Sequence, residues 1–298
     1  MFVLSFIKNL ELLKNSNTAN LLLGEFFYGL KEYKKSSIYY NKYLNQNIIN
    51  SYVLLRVGNC NYYNSKYEDA IFFYENARLY DPDSFETISN LALSYYFMEK
   101  YEKCYDLFKL SLDIKKDNNE AYMMLGICSE KLGYIIKATR YYEKYLTINK
   151  NDIDCMYSLA RCYLINKNFE KSIEIYRNII ELKPSFYQVW KNIADVQYQL
   201  QDYENAIFSY NFYLTIKYDD FCVWNNLANC YREIKDYDSA ISSYKKALSI
   251  DESNYEVWEK LSFLHEITNQ NDKSYNLKNI SEKIKSSNYN LNTNEQKI

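Results

Sequence analysis

Residues 67–84 read YEDAIFFYENARLYDPDS, and residues 237–254 read YDSAISSYKKALSIDESN. Both stretches carry a tyrosine, an alanine and a second tyrosine at their first, fourth and eighth positions. This pattern recurs every 34 residues without an insertion or a deletion, and it defines eight repeats. The repeats begin at Asn17, Ser51, Phe85, Asn119, Ile153, Tyr187, Phe221 and Tyr255. A fixed period of this length predicts an array of similar structural units.

Two positions in every repeat hold a small residue. The eighth position holds Gly24, Gly58, Ala92, Gly126, Ala160, Ala194, Ala228 and Ser262. The twentieth position holds Ser36, Ala70, Cys104, Ala138, Ser172, Ala206, Ala240 and Ser274. The twenty-fourth position is aromatic in the first seven repeats. Because spacings of three and four are helical and small residues let helices approach closely, each repeat is predicted to be two short amphipathic helices.

This pattern resembles the tetratricopeptide repeat family over residues 17–254, which hold seven full repeats. The resemblance implies an all-α fold, an α-solenoid of stacked antiparallel helix pairs that winds into a right-handed superhelix. Residues 255–285 form an eighth, degenerate repeat, with Asn271 and Lys278 where aromatic residues are expected. A polar replacement of this kind is typical of a terminal capping repeat. No Pro-, Gly- or Ser-rich linker interrupts the array, so one elongated domain is expected.

The two ends of the chain fall outside the full repeats. Residues 1–16 fit the second helix of an incomplete repeat, with Phe6 at the aromatic position. A secretory signal is the alternative, but Lys8 interrupts the apolar run and no small-residue cleavage site follows it. Residues 286–298 are polar and are predicted to be a disordered tail.

The composition argues against several classes of partner. The formal net charge is −2 and the charges are spread along the array, so no basic footprint for nucleic acid is present. The sequence contains no run of about 18 apolar residues, which is the length that a membrane-spanning helix needs. The sequence therefore predicts no nucleic-acid partner and no membrane insertion.

Most of the cysteines occupy positions that small core residues fill in the resembling family. Cysteine behaves as a small buried hydrophobe, so these residues are interpreted as structural thiols in a reducing, cytoplasmic compartment. Only Cys222, at the second position of its repeat, is expected to be exposed. The six structural thiols are Cys60, Cys104, Cys128, Cys155, Cys162 and Cys230.

No residue pattern typical of catalysis or of metal binding occurs. The single histidine, His265, stands at the eleventh position, where other repeats carry aromatic residues such as Phe27 and Tyr95. It is interpreted as an aromatic substitute. The sequence contains no Gly-rich phosphate loop, no CxxC pair and no nucleophile elbow. The chain is therefore predicted not to be an enzyme and to use no cofactor and no metal.

The predicted binding site lies on one side of the first helix of each repeat. Each helical residue advances about 100°, so positions 2, 5, 6, 9, 12 and 13 cluster opposite the core. We call this surface the first-helix face. In the resembling family it lines a concave groove that holds an extended peptide or a partner helix. The residues predicted to bind a partner are Tyr28, Arg56, Asn59, Tyr62, Tyr63, Asn90, Tyr96, Lys191, Asn192, Tyr198, Asn225, Asn226, Asn229 and Arg232.

These residues divide into an aromatic end in the first three repeats and an amide-rich end in the sixth and seventh. Tyrosine and tryptophan supply a large contact area at low entropic cost, and an asparagine amide pairs with any peptide backbone. The preferred function is a protein-interaction scaffold or adaptor that acts within a multi-subunit complex. One alternative is the substrate-recruiting part of an enzyme similar to the O-linked N-acetylglucosamine transferases. The other is a helical repeat that binds RNA.

Overall fold

The computed structural model describes residues 16–46 and 49–295, with side chains described up to residue 286. The helix predicted for residues 1–16, with Phe6, lies almost wholly outside the described residues. Within the described part of the chain there are sixteen helices and no strand.

The helices follow one another in pairs, and each pair corresponds to one repeat. The first helix of each pair is α1 (Asn17–Gly29), α3 (Ser51–Tyr63), α5 (Phe85–Phe97), α7 (Asn119–Lys131), α9 (Ile153–Ile165), α11 (Gln188–Gln199), α13 (Phe221–Glu233) and α15 (Tyr255–Ile267). The second helix is α2 (Tyr33–Leu44), α4 (Tyr67–Tyr80), α6 (Tyr101–Ile114), α8 (Ile135–Ile148), α10 (Phe169–Leu182), α12 (Tyr203–Ile216), α14 (Tyr237–Ile250) and α16 (Asn271–Glu295).

The chain divides into two compact units, one up to Asn166 and one from Lys167 onwards. Within each unit, helices adjacent in sequence pack against each other, so each unit is an α-solenoid of stacked antiparallel helix pairs. The boundary between the units falls inside the fifth repeat, between α9 and α10. In an array each repeat contacts only its neighbours, so no single core holds the chain together.

The turn between the two helices of a repeat is set by one residue with left-handed backbone geometry. This residue is the fifteenth of every repeat, with φ between 57° and 76°. After α1, the Lys31 N–H bonds to the Tyr28 carbonyl and the Glu32 N–H to the Phe27 carbonyl, both at 2.9 Å. This pattern satisfies carbonyls that a helix end would leave unpaired. The eight residues are Lys31, Ser65, Glu99, Gly133, Lys167, Gln201, Lys235 and Asn269.

The small residue at the eighth position packs directly on the ring at the twenty-fourth. A Cβ atom added to Gly58 would lie 2.4 Å from the Tyr74 ring, and one added to Gly24 would lie 2.5 Å from Tyr40. The tyrosines at the twenty-fourth position are fully buried, so they form the core between the two helices of a repeat. Because the ring at position 24 lies directly on the helix at position 8, only a small residue fits at position 8 in each repeat.

The cysteines and the histidine lie where their repeat positions predicted. All six cysteines assigned to the core are buried, and Cys222 is exposed. His265 is buried, and its Nδ1 lies 3.1 Å from the Gln270 side-chain oxygen. One contact was not expected from the repeat positions: the sulfur atoms of Cys104 and Cys128 lie 3.1 Å apart, as two free thiols.

The C-terminal segment differs from the prediction. The last helix, α16, continues to Glu295, so residues 286–295 are helical where a disordered tail had been predicted. These residues include neither proline nor glycine, so no residue in them breaks the helix that begins in the eighth repeat.

Candidate functional site

The predicted site residues fall into two separate sets, one in each unit. The first unit holds Tyr28, Arg56, Asn59, Tyr62, Tyr63, Asn90 and Tyr96. The second unit holds Lys191, Asn192, Tyr198, Asn225, Asn226, Asn229 and Arg232.

The first unit carries a continuous row of aromatic rings, which we call the aromatic ladder. Its rungs are two stacked pairs. Tyr63 lies 4.5 Å from Tyr33 with the ring planes 19° apart, and Phe97 lies 4.9 Å from Tyr67 with the planes 7° apart. Edge-to-face contacts of 5.5–5.8 Å join these pairs to the neighbouring rings. The full ladder is Tyr28, Tyr33, Tyr63, Tyr62, Tyr67, Phe97, Tyr96 and Tyr101.

One ring of each stacked pair in the ladder is exposed to solvent. Tyr63 is 55% exposed and Phe97 is 48% exposed, although each is already fixed by a stacking neighbour. A ring that is held in place loses little entropy when a partner covers it. The tyrosines that begin the second helices, such as Tyr33 and Tyr67, were not among the predicted site residues. The position 13 ring of one repeat stacks on the position 17 ring of the preceding repeat, and that pairing is visible in the sequence.

Arg56 lies at the start of the ladder and is already engaged by the protein. Its guanidinium lies 4.4 Å from the ring centre of Tyr28 and 4.9 Å from that of Tyr52. Its Nε donates to the Tyr52 hydroxyl at 2.9 Å and lies 3.6 Å from Glu25. Arg56 therefore holds the side chains of Tyr28, Tyr52 and Glu25 together at this end of the first-helix face. A partner would contact the aliphatic part of Arg56 and the two rings, because the guanidinium is already paired.

Asn59 and Asn229 require a correction, because both are buried and hold tyrosines of the core. The Asn59 oxygen accepts a hydrogen bond from the Tyr74 hydroxyl, and the Asn229 oxygen accepts one from Tyr244, each at 2.7 Å. Burial raises the pKa of Tyr244 to about 12, so this hydroxyl remains a donor at neutral pH. These two asparagines are structural residues, not free contacts for a peptide.

The same arrangement occurs in other repeats, and we call it the tyrosine anchor. The residue at position 9 accepts from the tyrosine at position 24: Glu25 from Tyr40 at 2.7 Å and Asp195 from Tyr210 at 2.5 Å. In three anchors the residue at position 6 of the next repeat also joins: Arg56 pairs with Glu25, Asn90 with Asn59 at 2.8 Å, and Asn226 with Asp195. The anchor thus ties each of these repeats to the next. A helical wheel gives no sign of this contact.

The amide-rich set in the second unit is also largely paired within the protein. The Lys191 ammonium lies 3.1 Å from Asp220, which also accepts from the Tyr213 hydroxyl at 2.9 Å. Asn225 accepts from Lys260 at 3.1 Å. Asp220 and Lys260 were not among the predicted site residues. Asp220 precedes α13, outside the positions of the first-helix face, and Lys260 lies at position 6 of the eighth repeat, whereas the predicted amide-rich end included only the sixth and seventh repeats.

The other members of this set keep partial exposure. Arg232 bonds to Glu233 at 2.6 Å, and Tyr198 makes an edge contact of 5.6 Å with Tyr203. Asn192 and Asn226 are partly exposed. Burial raises the pKa of Asp195, with the Tyr210 hydrogen bond and the Lys191 charge acting in the opposite direction. This end of the face is therefore a prearranged polar surface with few uncommitted groups.

The side chains of the two sets are suited to binding a partner by non-covalent contacts. Ring surfaces and partly exposed amides bind by contact area and hydrogen bonding. Among the described residues, no three His, Cys, Asp or Glu side chains are grouped so that they could hold a metal ion. In the same part of the chain, no helix is both long and apolar enough to cross a bilayer.

Comparison with known families and structures gives a consistent result. A tetratricopeptide repeat model matches residues 221–254, and a model of the tetratricopeptide repeat protein 21 C-terminal ARM domain matches residues 81–197. A solved structure from Cytophaga hutchinsonii, the C-terminal part of a TPR repeat-containing protein, superimposes with a TM-score of 0.67 and 19% identity. The match covers 78% of this chain and 96% of that structure.

Two further similarities bear on recognition. YrrB, a TPR protein with an unusual peptide-binding site, matches with a TM-score of 0.57 and 18% identity over 62% of this chain and 95% of YrrB. The BBSome complex member BBS4 homolog of Drosophila melanogaster is 30% identical over 76 residues, which is 26% of this chain and 16% of that protein. The chain spans well under half the length of the curated relatives it matches. At these identities the solved structures establish the fold alone.

Proposed function

Because this chain is a tetratricopeptide repeat protein, we propose that it is a non-catalytic scaffold that binds a peptide segment or a helix of a partner protein along its first-helix face. The aromatic ladder is the observation that carries the proposal. Its exposed rings, Tyr63 and Phe97, are apolar and held in place by stacking, which suits them to be the anchors of an interface. The amide-rich set of the second unit would add polar contacts to the backbone of a bound segment.

Two of the similarities support this choice of partner. YrrB is described as having a peptide-binding site, and the Drosophila relative is described as a member of a complex. We therefore propose that this chain also acts within a multi-subunit assembly. The seven free thiols support a reducing, cytoplasmic compartment, and the balanced charge supports a protein partner over a nucleic acid.

The proposal is tested by affinity purification from the native cell followed by mass spectrometry. The bait is the full chain, compared with a variant that carries Tyr63→Ala and Phe97→Ala. We expect the variant to lose the specific partner, because both exposed rungs are gone.

A matched control is Tyr80→Ala. Tyr80 is 54% exposed, almost the same as Tyr63, but it lies at the end of a second helix, outside the first-helix face. Circular dichroism checks that all variants keep their helix content. Equal recovery of the partner by the ladder variant, or equal loss with Tyr80→Ala, would contradict the proposed site.

A further inference from the structure

A cleft of about 370 Å³ opens on the first-helix face of the first unit, between α5 and α7. Its apolar lining is Phe85, Leu93, Phe108 and Met124. The tyrosine anchor is absent here, because Leu93 replaces the polar residue at position 9 and Phe108 replaces the tyrosine at position 24. Because Phe108 has no hydroxyl and Leu93 has no acceptor, the bottom of the cleft is apolar.

The polar groups around the cleft are hydrogen-bond acceptors. Glu86 and Glu120 line it and are exposed. Asn90 also lines the cleft. Its amide nitrogen donates one hydrogen bond to the Asn59 oxygen, and its own oxygen is an acceptor. The buried Ser89 hydroxyl oxygen has no hydrogen-bond partner. Every polar group that faces the cleft can therefore receive a hydrogen bond.

Asn118 adds a second uncommitted group. It lines the cleft, is 8% exposed and precedes helix α7, yet its side chain makes no capping hydrogen bond. The equivalent residues Ser84 and Asp152 each cap the helix that follows them. The Asn118 amide is thus available to a group that enters the cleft.

The charge of the cleft is negative. Glu86 and Glu120 contribute two carboxylates, and the Glu86 carboxylate receives one long hydrogen bond, 3.4 Å, from Asn59. Lys115 is a nearby cation, and its ammonium lies 5.3 Å from the ring centre of Phe85. One ammonium at the edge offsets only part of two carboxylates, so a cationic group is favoured inside.

We propose that this cleft binds the side chain of an arginine, or less tightly a lysine, in the peptide that the first-helix face recognises. The inference rests on the proposed function and names the chemistry of its partner. The apolar stem of the side chain would lie on Leu93, Phe108 and Met124, and its donors would reach the carboxylates and amides at the rim. Arginine offers five donors in a fixed plane, so it matches several acceptors better than lysine does.

The test is a selection from a phage-displayed random-peptide library on the full chain. We expect the recovered peptides to share a basic residue at one fixed place relative to an apolar or aromatic residue. A second selection uses the variant Glu86→Gln with Glu120→Gln, which keeps the size and polarity of both side chains. The basic preference should disappear in that selection, while the rest of the motif remains.

The control variant is Glu102→Gln with Asp106→Asn, which removes two exposed carboxylates from the neighbouring helix α6. It should return the same basic motif as the unmodified chain. Fluorescence anisotropy then compares one selected peptide with its Arg→Leu form. We expect the unmodified chain to bind the leucine form about tenfold more weakly, and the Glu86→Gln, Glu120→Gln variant to show little difference.

The possible results separate this inference from the function on which it rests. Peptides that compete for the ladder but show no basic preference would overturn the cationic cleft and leave the scaffold proposal standing. A basic preference that survives in the Glu86→Gln, Glu120→Gln variant would also overturn it. If the library yields no specific peptide at all, the proposed function fails and the inference fails with it.

Discussion

Replacing Lys31, Ser65 and Glu99 together by glycine is expected to stabilise the first unit by about 2 kcal/mol. All three are exposed and have φ of 57–59°, a conformation that costs a residue with a Cβ atom about 1–2 kcal/mol. Glycine avoids that cost but gives the unfolded chain more freedom, which costs about 0.4–1 kcal/mol. The net gain is about 0.5–1 kcal/mol per turn. For a unit of this size, the total gain of about 2 kcal/mol from the three substitutions corresponds to a rise of about 4–8 °C in Tm.

The assay is thermal and urea unfolding followed by circular dichroism, with hydrogen exchange to place the gain in residues up to 166. Glu99→Ala is the matched control: it removes the same side chain and keeps the Cβ, so it should bring no gain. Gly133→Ala is the reverse experiment. Gly133 has φ 76° and open space around an added Cβ, so its replacement should destabilise by about 0.5–1 kcal/mol. A lower Tm for the triple glycine variant, or a higher one for Gly133→Ala, would refute the reasoning.

Three other changes test the interior of the molecule. Asn59→Ala leaves the buried Tyr74 hydroxyl without its acceptor and should cost about 1–3 kcal/mol in urea unfolding, and adding Tyr74→Phe should recover part of that loss. Burial lowers the pKa of His265 below its usual 6.5, so the unfolded chain binds the proton more readily. The stability of the second unit should therefore fall as the pH drops below about 6.5, and His265→Phe should flatten that slope. A thiol reagent such as Ellman's should react rapidly with Cys222 alone among the seven cysteines of the native protein, and with the other six only after unfolding.

The period predicted the helix pairs well because it records contacts that every repeat shares. The small residue at position 8 and the ring at position 24 face each other in each pair, so Gly58 and Tyr74 could be placed from sequence alone. The left-handed turn was missed, although it recurs with the same period, because the sequence marks it with glycine only at Gly133. At the other seven positions five different residue types share this backbone geometry, so the sequence does not reveal it.

The site residues were harder to predict because each depends on one particular neighbour. Asn59 and Tyr63 both lie on the first-helix face, but Asn59 is buried beneath the hydroxyl of Tyr74, whereas Tyr63 is exposed. A helical wheel shows only the direction of a side chain. It does not show whether a long side chain from the next repeat reaches the residue, as the Lys260 side chain reaches Asn225.

The tyrosine anchors have a consequence for how such an array can change in length. Equal repeats invite recombination that removes or duplicates a block of 34 residues, and the helices would still join in frame. The seams would not fit equally well. Loss of residues 85–118 would bring Asn59 against Met124 in place of Asn90, so the buried Asn59 oxygen would lose the hydrogen bond that it accepts from Asn90. The repeats are thus interchangeable in length but not in order, and the anchors restrict which rearranged arrays would fold.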